Sequence, residues 1–241
     1  MDISSNRKIP MSITELIATT FRKAGRMMTV GAKKPLYGER QVAPTLDGIR
    51  PDHIGRYRFA ATHIPPAARI LDLACGIGYG ACIMARETAC KSITAVDINR
   101  ETIAYARKHY ASPKIDYIQG DCLDVDLPTS YYDLVVSLET LEHVNEDRQL
   151  LERFFRLVKP GCKLILSSPN QLIKPYSPAT FPFHVRHYEP DVLSDLLRRV
   201  GFNIEEVYSQ HNRHSEILEK GQDGAFNVFV CKRIAIPSAA A

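Results

Sequence analysis

The 241-residue sequence has no tryptophan, and no apolar run approaches the ~20 residues that a membrane-crossing helix requires. A membrane span is therefore not expected. The opening segment Met1–Pro10 is polar, and no apolar stretch with a small-residue cleavage site follows it, so a secretory signal is not expected either. The six cysteines (Cys75, Cys82, Cys90, Cys122, Cys162 and Cys231) show no CxxC pairing. That spacing argues against a zinc ribbon or a redox pair and fits reduced, buried thiols in a cytoplasmic protein. The central part of the chain lacks a long basic stripe and an aromatic platform, which argues against a nucleic-acid partner. There is no internal repeat, and low complexity is confined to the Ala tail.

What is present is ordinary in bulk and informative by region. Hydrophobic residues make up 45% and charged residues 24%, the range of a globular domain that needs no disulfide staple. Residues 1–50 hold nine Lys/Arg against four Asp/Glu, whereas the remainder is balanced at 22 against 23. This basic surplus reads either as attraction to an anionic substrate or membrane surface, or as a solvated helix face. Ser12-Ile-Thr-Glu15 has the form of a capping box, and Ile13, Leu16, Ile17, Phe21, Ala24 and Met28 follow at helical spacing. A basic amphipathic helix docked on the following domain as a lid is expected there; the acidic Asp2 and Glu15 argue against a mitochondrial targeting segment. The organisation expected is a basic helical extension with a loop (residues 1–52), a main domain (53–234) and a disordered tail (235–241).

From Arg69 onward strand and helix patterns alternate. Strands are expected at Ile70–Leu73, Ile93–Val96, Ile115–Gln119, Leu134–Ser137, Lys163–Ser168, Ile204–Gln210 and Ala225–Cys231, and helices at Tyr79–Thr88, Arg100–Tyr110, Asp147–Val158 and Asp191–Val200. A further helix fits Ile54–His63, ended by Pro65-Pro66. This alternation specifies an α/β fold: a doubly wound, mostly parallel sheet covered by helices on both faces.

The first strand runs into Asp72-Leu-Ala-Cys-Gly-Ile-Gly-Tyr-Gly80, where Gly76, Gly78 and Gly80 permit a tight turn and close backbone approach to a ligand. The glycine spacing alone leaves a dinucleotide and other nucleosides in contention. Three acids at successive strand ends discriminate. Asp72 suits a cationic amino-acid moiety rather than a pyrophosphate, Asp97 can accept both hydroxyls of a ribose, and Asp121-Cys122 can take an adenine amino group and ring nitrogen. In a doubly wound sheet those strand ends line the ligand crevice.

With those residues in place, the segment 69–168 resembles the core of class I S-adenosylmethionine-dependent methyltransferases, and the similarity extends to the C-terminus. The resemblance implies seven strands in the order 3-2-1-4-5-7-6, with the seventh antiparallel. It implies S-adenosyl-L-methionine as cofactor, with Asp72, Ala74, Gly76, Gly78 and Tyr79 at its methionine part, Asp97 and Ile98 at the ribose, and Asp121, Cys122 and Leu138 toward the adenine. The fourth-strand segment Tyr132–Glu139 and Leu157-Val-Lys-Pro-Gly161 resemble the later family motifs.

The end of the fourth strand offers Glu139-Thr-Leu-Glu142-His143, which could form part of a divalent-metal site. Carboxylates favour Mg²⁺ or Mn²⁺, and a histidine leans toward Mn²⁺, Fe²⁺ or Zn²⁺. This E-x-x-E-H is similar to the metal motif of ubiquinone-pathway O-methyltransferases and small-RNA 2′-O-methyltransferases, which implies Glu139, Glu142, His143 and a further histidine, His184 ahead of His187, as ligands. His143, His184 and Glu139 are the catalytic candidates, since a hydroxyl acceptor must lose a proton. A Glu142 that merely caps the next helix is the alternative. The arrangement Gly38-Glu39-Arg40, Arg56-Tyr57-Arg58-Phe59, Ser168-Pro-Asn170, Phe183-His184-Val-Arg186-x-Tyr188 and Asp223–Val230 resembles bacterial methyltransferases associated with surface-polysaccharide assembly. Gln41-Val42 departs from that pattern, which has an aromatic there. The resemblance implies a glycan or other hydroxylated small molecule as acceptor. An RNA ribose 2′-hydroxyl, and a nicotinamide-dependent oxidoreductase, are the competing readings; a homodimer stays open.

Overall fold

A computed structural model describes residues 40–234. The basic helix expected from Ser12 and the tail at 235–241 lie outside the described residues. Helix α1 (Pro51–Thr62) starts three residues before the expected position, because Pro51 occupies N1, where its missing N–H has no helical partner to lose. There follow β1 (Arg69–Leu73), α2 (Tyr79–Glu87), β2 (Ser92–Asp97), α3 (Arg100–His109), β3 (Ile115–Gln119), β4 (Tyr132–Leu138), α4 (Asp147–Leu157), β5 (Val158–Pro169), α5 (Pro190–Val200), β6 (Phe202–Gln210), β7 (Glu219–Lys220) and β8 (Phe226–Arg233). Helix α3 is capped by the Asn99 side chain, which accepts from the Thr102 amide at 2.9 Å, and it ends on Arg107, Lys108 and His109, cations that complement the helix C-terminus. Helix α5 stops at Gly201, whose φ of 113° is readily reached only without a Cβ.

The sheet order is β3-β2-β1-β4-β5-β8-β6-β7, with β8 antiparallel to both its neighbours. This is the expected order with one correction. The sheet has eight strands, not seven, because the two-residue β7 pairs with β6 at the edge. Two residues with no apolar alternation leave no strand signal in sequence. Strand β5 also begins five residues early: Val158 pairs with Tyr132, and the ladder shifts register before Leu134 pairs with Lys163.

The central strands are buried on both faces, as helix-covered parallel strands are. Leu71, Val135, Leu164 and Phe229 of the sheet join Leu150, Leu151 and Phe154 of α4 and Leu193 and Leu197 of α5 in one core. Each such side chain contributes roughly 1.5–3 kcal/mol by leaving water. The parallel strands all deliver their C-terminal ends to one edge of the sheet. Because β8 runs antiparallel, its first residue, Phe226, lies opposite Pro169 and Gln210 at that same edge. Loops from six strands therefore converge there.

Candidate cofactor and acceptor site

The turn after β1 is built from left-handed residues: Ala74 (φ 70°), Gly76 (φ 57°) and Gly78 (φ 86°). Cys75 donates its amide to the Val96 carbonyl at 2.8 Å, and Gly76 donates to Asp97 Oδ2 at 3.1 Å, tying the turn to the end of β2. The three glycines have different reasons to be there. A Cβ on Gly76 would meet nothing within 4 Å, so the turn leaves open space above its backbone. A Cβ on Gly78 would lie 2.5 Å from the Tyr117 hydroxyl, and one on Gly80 would lie 2.1 Å from the Tyr57 ring. Gly76 thus keeps a ligand cradle open, whereas Gly78 and Gly80 admit the tyrosines of β3 and α1.

Asp72 is fully buried at the end of β1. Its Oδ1 accepts from the Tyr57 hydroxyl at 3.3 Å, and its Oδ2 has no hydrogen-bond partner among the described residues. Burial pushes its pKa up to about 7, against the lowering effect of the Tyr57 hydrogen bond, with Asp97 adding to the rise. A buried carboxylate with an idle oxygen is costly unless a donor or cation meets it. Asp97 is nearly buried and accepts from the amides of Gly76 and Asn99. The Arg40 guanidinium lies 3.2 Å and 3.4 Å from its two oxygens. Ile98 next to it is 44% exposed. Asp121 stands at the end of β3 and spends Oδ1 on the Leu123 amide at 2.9 Å. The Cys122 thiol is pushed up to about 12, chiefly by burial, so it stays protonated. Leu138 is buried at the end of β4.

Tyr79, the first residue of α2, faces His53 of α1: its hydroxyl lies 2.8 Å from His53 Nδ1, while Arg50 donates to His53 Nε2 at 2.8 Å. The Arg50 bond makes Nε2 the acceptor, so Nδ1 carries the proton and donates to Tyr79, whose own hydroxyl hydrogen is left for another acceptor.

On the opposite side of the strand edge, Glu139 adopts a left-handed backbone (φ 53°), held by its amide donating to Ser167 Oγ at 3.0 Å and by Ser167 donating back to Glu139 Oε1 at 2.7 Å. One ligand atom from each of Glu142, His143 and His184 lies within 4.8 Å of the others. Three of the four expected metal ligands are thus brought together, and Glu139 is engaged by Ser167 instead. The loop carrying His184 is pinned there by the Val185 amide, which donates to the Glu142 carbonyl at 2.7 Å.

The hydrogen bonds behind these rings define their tautomers. His187 Nδ1 meets the Lys174 carbonyl at 2.6 Å, so it carries a proton and leaves Nε2 as acceptor. His184 Nδ1 meets that Nε2 at 2.6 Å and therefore donates to it. His143 Nδ1 donates to the Phe183 carbonyl at 2.9 Å. Both His143 and His184 in consequence carry their lone pair on Nε2. Burial, aided by His143, His187 and Lys174, lowers the His184 pKa to about 3, which keeps it neutral.

A family model described as a methyltransferase domain matches residues 71–166. A Mycolicibacterium smegmatis protein named "Probable S-adenosylmethionine-dependent methyltransferase" is 29% identical over 182 residues, 72% of this chain and 67% of its own length. The chain spans 61% of the length of a Mycobacterium tuberculosis relative. The ubiquinone biosynthesis O-methyltransferase of Xanthomonas oryzae is 30% identical over 193 residues, covering 73% of this chain and 75% of that protein. The chain belongs to the class I S-adenosylmethionine-dependent methyltransferases. The fold agrees: the crystal structure of such a methyltransferase from Mesorhizobium loti superposes with a TM-score of 0.60 at 19% identity, covering 74% of this chain and 98% of that one. Membership in this family replaces the oxidoreductase reading. No helix among the described residues is long and apolar enough to cross a membrane.

For a methyltransferase of this family the buried Asp72 has a consequence for pH. Its folded pKa of about 7 lies above the ~3.9 of a free aspartate. The unfolded carboxylate ionises first, so the contribution of Asp72 to stability is greatest in acid and is lost as pH rises from about 4 to 7. Thermal melting without cofactor is expected to fall more steeply across that window for the wild type than for Asp72→Asn. Bound S-adenosylhomocysteine, whose ammonium favours the ionised carboxylate, is expected to restore the wild type. Parallel pH profiles for the two proteins would overturn the assignment.

Sequence reading missed Arg40, His53 and Tyr57 as neighbours of the site. All three precede the glycine turn, and their signal is faint: they approach through tertiary contacts that no local spacing encodes.

Proposed function

We propose that this methyltransferase carries out O-methylation, with a hydroxylated small molecule, such as a glycan unit, as acceptor. The observation that carries the cofactor half is the idle Oδ2 of Asp72, buried beside the open space over Gly76. Asp72 would hold the ammonium of S-adenosylmethionine, Asp97 the ribose hydroxyls beside Ile98, and Asp121 with Cys122 the adenine. The cofactor supplies a methyl group on a sulfonium, already activated for in-line displacement. The protein's share is to orient the acceptor oxygen, exclude water and remove a proton.

The lone pairs on His143 and His184 favour a hydroxyl acceptor. With Nδ1 donating to the Phe183 carbonyl and to His187 respectively, the lone pair of each ring lies on Nε2, the nitrogen type that takes a proton from a hydroxyl. The donor set of one carboxylate and two imidazoles also fits a divalent cation of the Mn²⁺, Fe²⁺ or Zn²⁺ kind rather than Mg²⁺. Glu142, His143 and His184 would hold it, and its charge would lower the pKa of a neighbouring hydroxyl. The O-methyltransferase name of the Xanthomonas relative supports the same acceptor atom.

Incubation with methyl-labelled cofactor and a panel of polyhydroxylated acceptors, glycans included, is expected to give label resistant to mild acid and base, as an alkyl ether is. Base-labile label, the mark of a methyl ester, or label on amines alone, would overturn the reading.

A further inference from the structure

We propose that the acceptor carries an oxyanion, a phosphoryl or carboxylate group, bound by Lys174 and Arg56 beside the Phe226 ring. The inference rests on the acceptor side proposed above and extends it to substrate class. Phe226 opens β8 at the strand edge where the site lies. Two cations share its ring: Lys174 Nζ is 4.3 Å from the centroid and Arg56 Cζ is 4.9 Å from it. Contact with a ring face attracts a cation but uses none of its N–H donors.

Those donors are idle in an environment that makes idleness costly. Arg56 is 1% exposed; Nη1 donates to Gln210 and lies 3.6 Å from Asp52, yet Nη2 is buried with no hydrogen-bond partner among the described residues. The half-buried Lys174 ammonium has neither a hydrogen bond nor an ion pair among the described residues, only the rings of Phe226 and Phe181. Its pKa is lowered first by burial; Glu139 opposes this, Arg213 and Arg50 reinforce it, and Asp52 opposes it.

The nearby acids offset these cations only in part, because each is shared with another group. Asp52 takes a two-pronged interaction from Arg50 at 2.9 Å and 2.7 Å, and Glu139 accepts from Ser167. Arg50, Arg56, Lys174 and Arg213 thus outnumber Asp52 and Glu139 near this edge of the sheet. A ligand oxygen would satisfy both the buried Nη2 and the lysine, and a charge-assisted contact of this kind is among the strong ones.

The test uses the full chain with inorganic phosphate and acetate as probes. In calorimetric titration phosphate or acetate is expected to bind the wild type and to shield Lys174 from acylation by acetic anhydride. Lys174→Met, which keeps the aliphatic stem on Phe226, is expected to weaken that binding by about tenfold or more, while Lys174→Arg retains it. Tighter binding of phosphate assigns a phosphoryl-bearing acceptor, and tighter binding of acetate a carboxylate. Equal affinity of Lys174→Met and the wild type for both probes, or no binding of either probe to the wild type, overturns the proposal. S-adenosylhomocysteine affinity is measured in the same variant: it is expected to be unchanged, and its loss in the wild type would instead strike at the cofactor reading.

Discussion

An Asp97→Ala variant is expected to bind S-adenosylhomocysteine at least about 100-fold more weakly than the wild type, since two charge-assisted hydrogen bonds are each worth roughly 1.5–3 kcal/mol. The carboxylate does two jobs at once. It fastens the glycine turn through the Gly76 amide and the start of α3 through the Asn99 amide, and in the proposed reading it also takes the ribose hydroxyls on its outer face. The Arg40 guanidinium sits on that face at 3.2 Å and 3.4 Å, so a ribose must displace it or share the carboxylate with it. Arg40→Ala is therefore expected to move affinity the other way, tightening cofactor binding several-fold as competition for Asp97 is removed. Titration calorimetry measures both variants. Thermal melting separates loss of the ligand from loss of the fold, and Asp97→Asn, which retains one acceptor for the backbone amides, serves if the alanine variant does not fold. Wild-type affinity in a folded Asp97→Ala protein would remove the cofactor assignment.

His184→Ala is expected to lower kcat by about 100-fold or more toward any acceptor found in the transfer assay, the scale on which a positioned base contributes. Cofactor affinity is expected to stay within about twofold of the wild type, because His184 belongs to the acceptor side of the strand edge. The effect has a structural cause upstream. The Lys174 carbonyl takes the His187 proton, His187 takes the proton on His184 Nδ1, and the lone pair is thereby placed on Nε2 of His184. Breaking that chain with His187→Ala leaves the base present but its tautomer unset, and a loss of about 10- to 100-fold in kcat is expected. An unchanged kcat in His184→Ala, with the methyl group still delivered to oxygen, would show that neither the imidazole nor a cation held by it takes part.

Much of the fold was legible because its signals are local. Apolar runs of four to six residues, separated by amphipathic stretches and punctuated by Gly and Pro, identify parallel strands and their helices, and strand polarity follows from the right-handed crossover. The acids at Asp72, Asp97 and Asp121 were legible for the same reason, since each lies within two residues of the C-terminal end of a strand. Two misplacements share one cause. The two-residue β7 and the early start of β5 at Val158 exist only because a neighbouring ladder supplies their hydrogen bonds, and pairing across 10 or more positions leaves no periodic trace.

The metal and catalytic residues show the same division at finer grain. Glu142 and His143 adjoin in sequence, and a short helical turn at Leu141–His143 presents them together. His184 arrives from a loop after β5, and its distance from the other two was set by the Val185 amide bonding to the Glu142 carbonyl. The role of Glu139 depended on where Ser167 falls in the adjacent strand, a matter of sheet register: Leu138 pairs with Ser167, which brings the hydroxyl to the next residue along.

By itself, then, the sequence determined the class of the fold, the strand order through the resemblance it carries, and the placing of three carboxylates at strand ends, all features written in spacing along one chain. Tertiary structure alone decided which of those groups are satisfied. It set Arg40 on Asp97, left one oxygen of Asp72 and one nitrogen of Arg56 without partners among the described residues, and linked His184 to His187 through their ring nitrogens. The physical reason is that hydrogen-bond satisfaction and desolvation depend on what surrounds an atom in space, and residues 15 to 158 positions apart supply those surroundings.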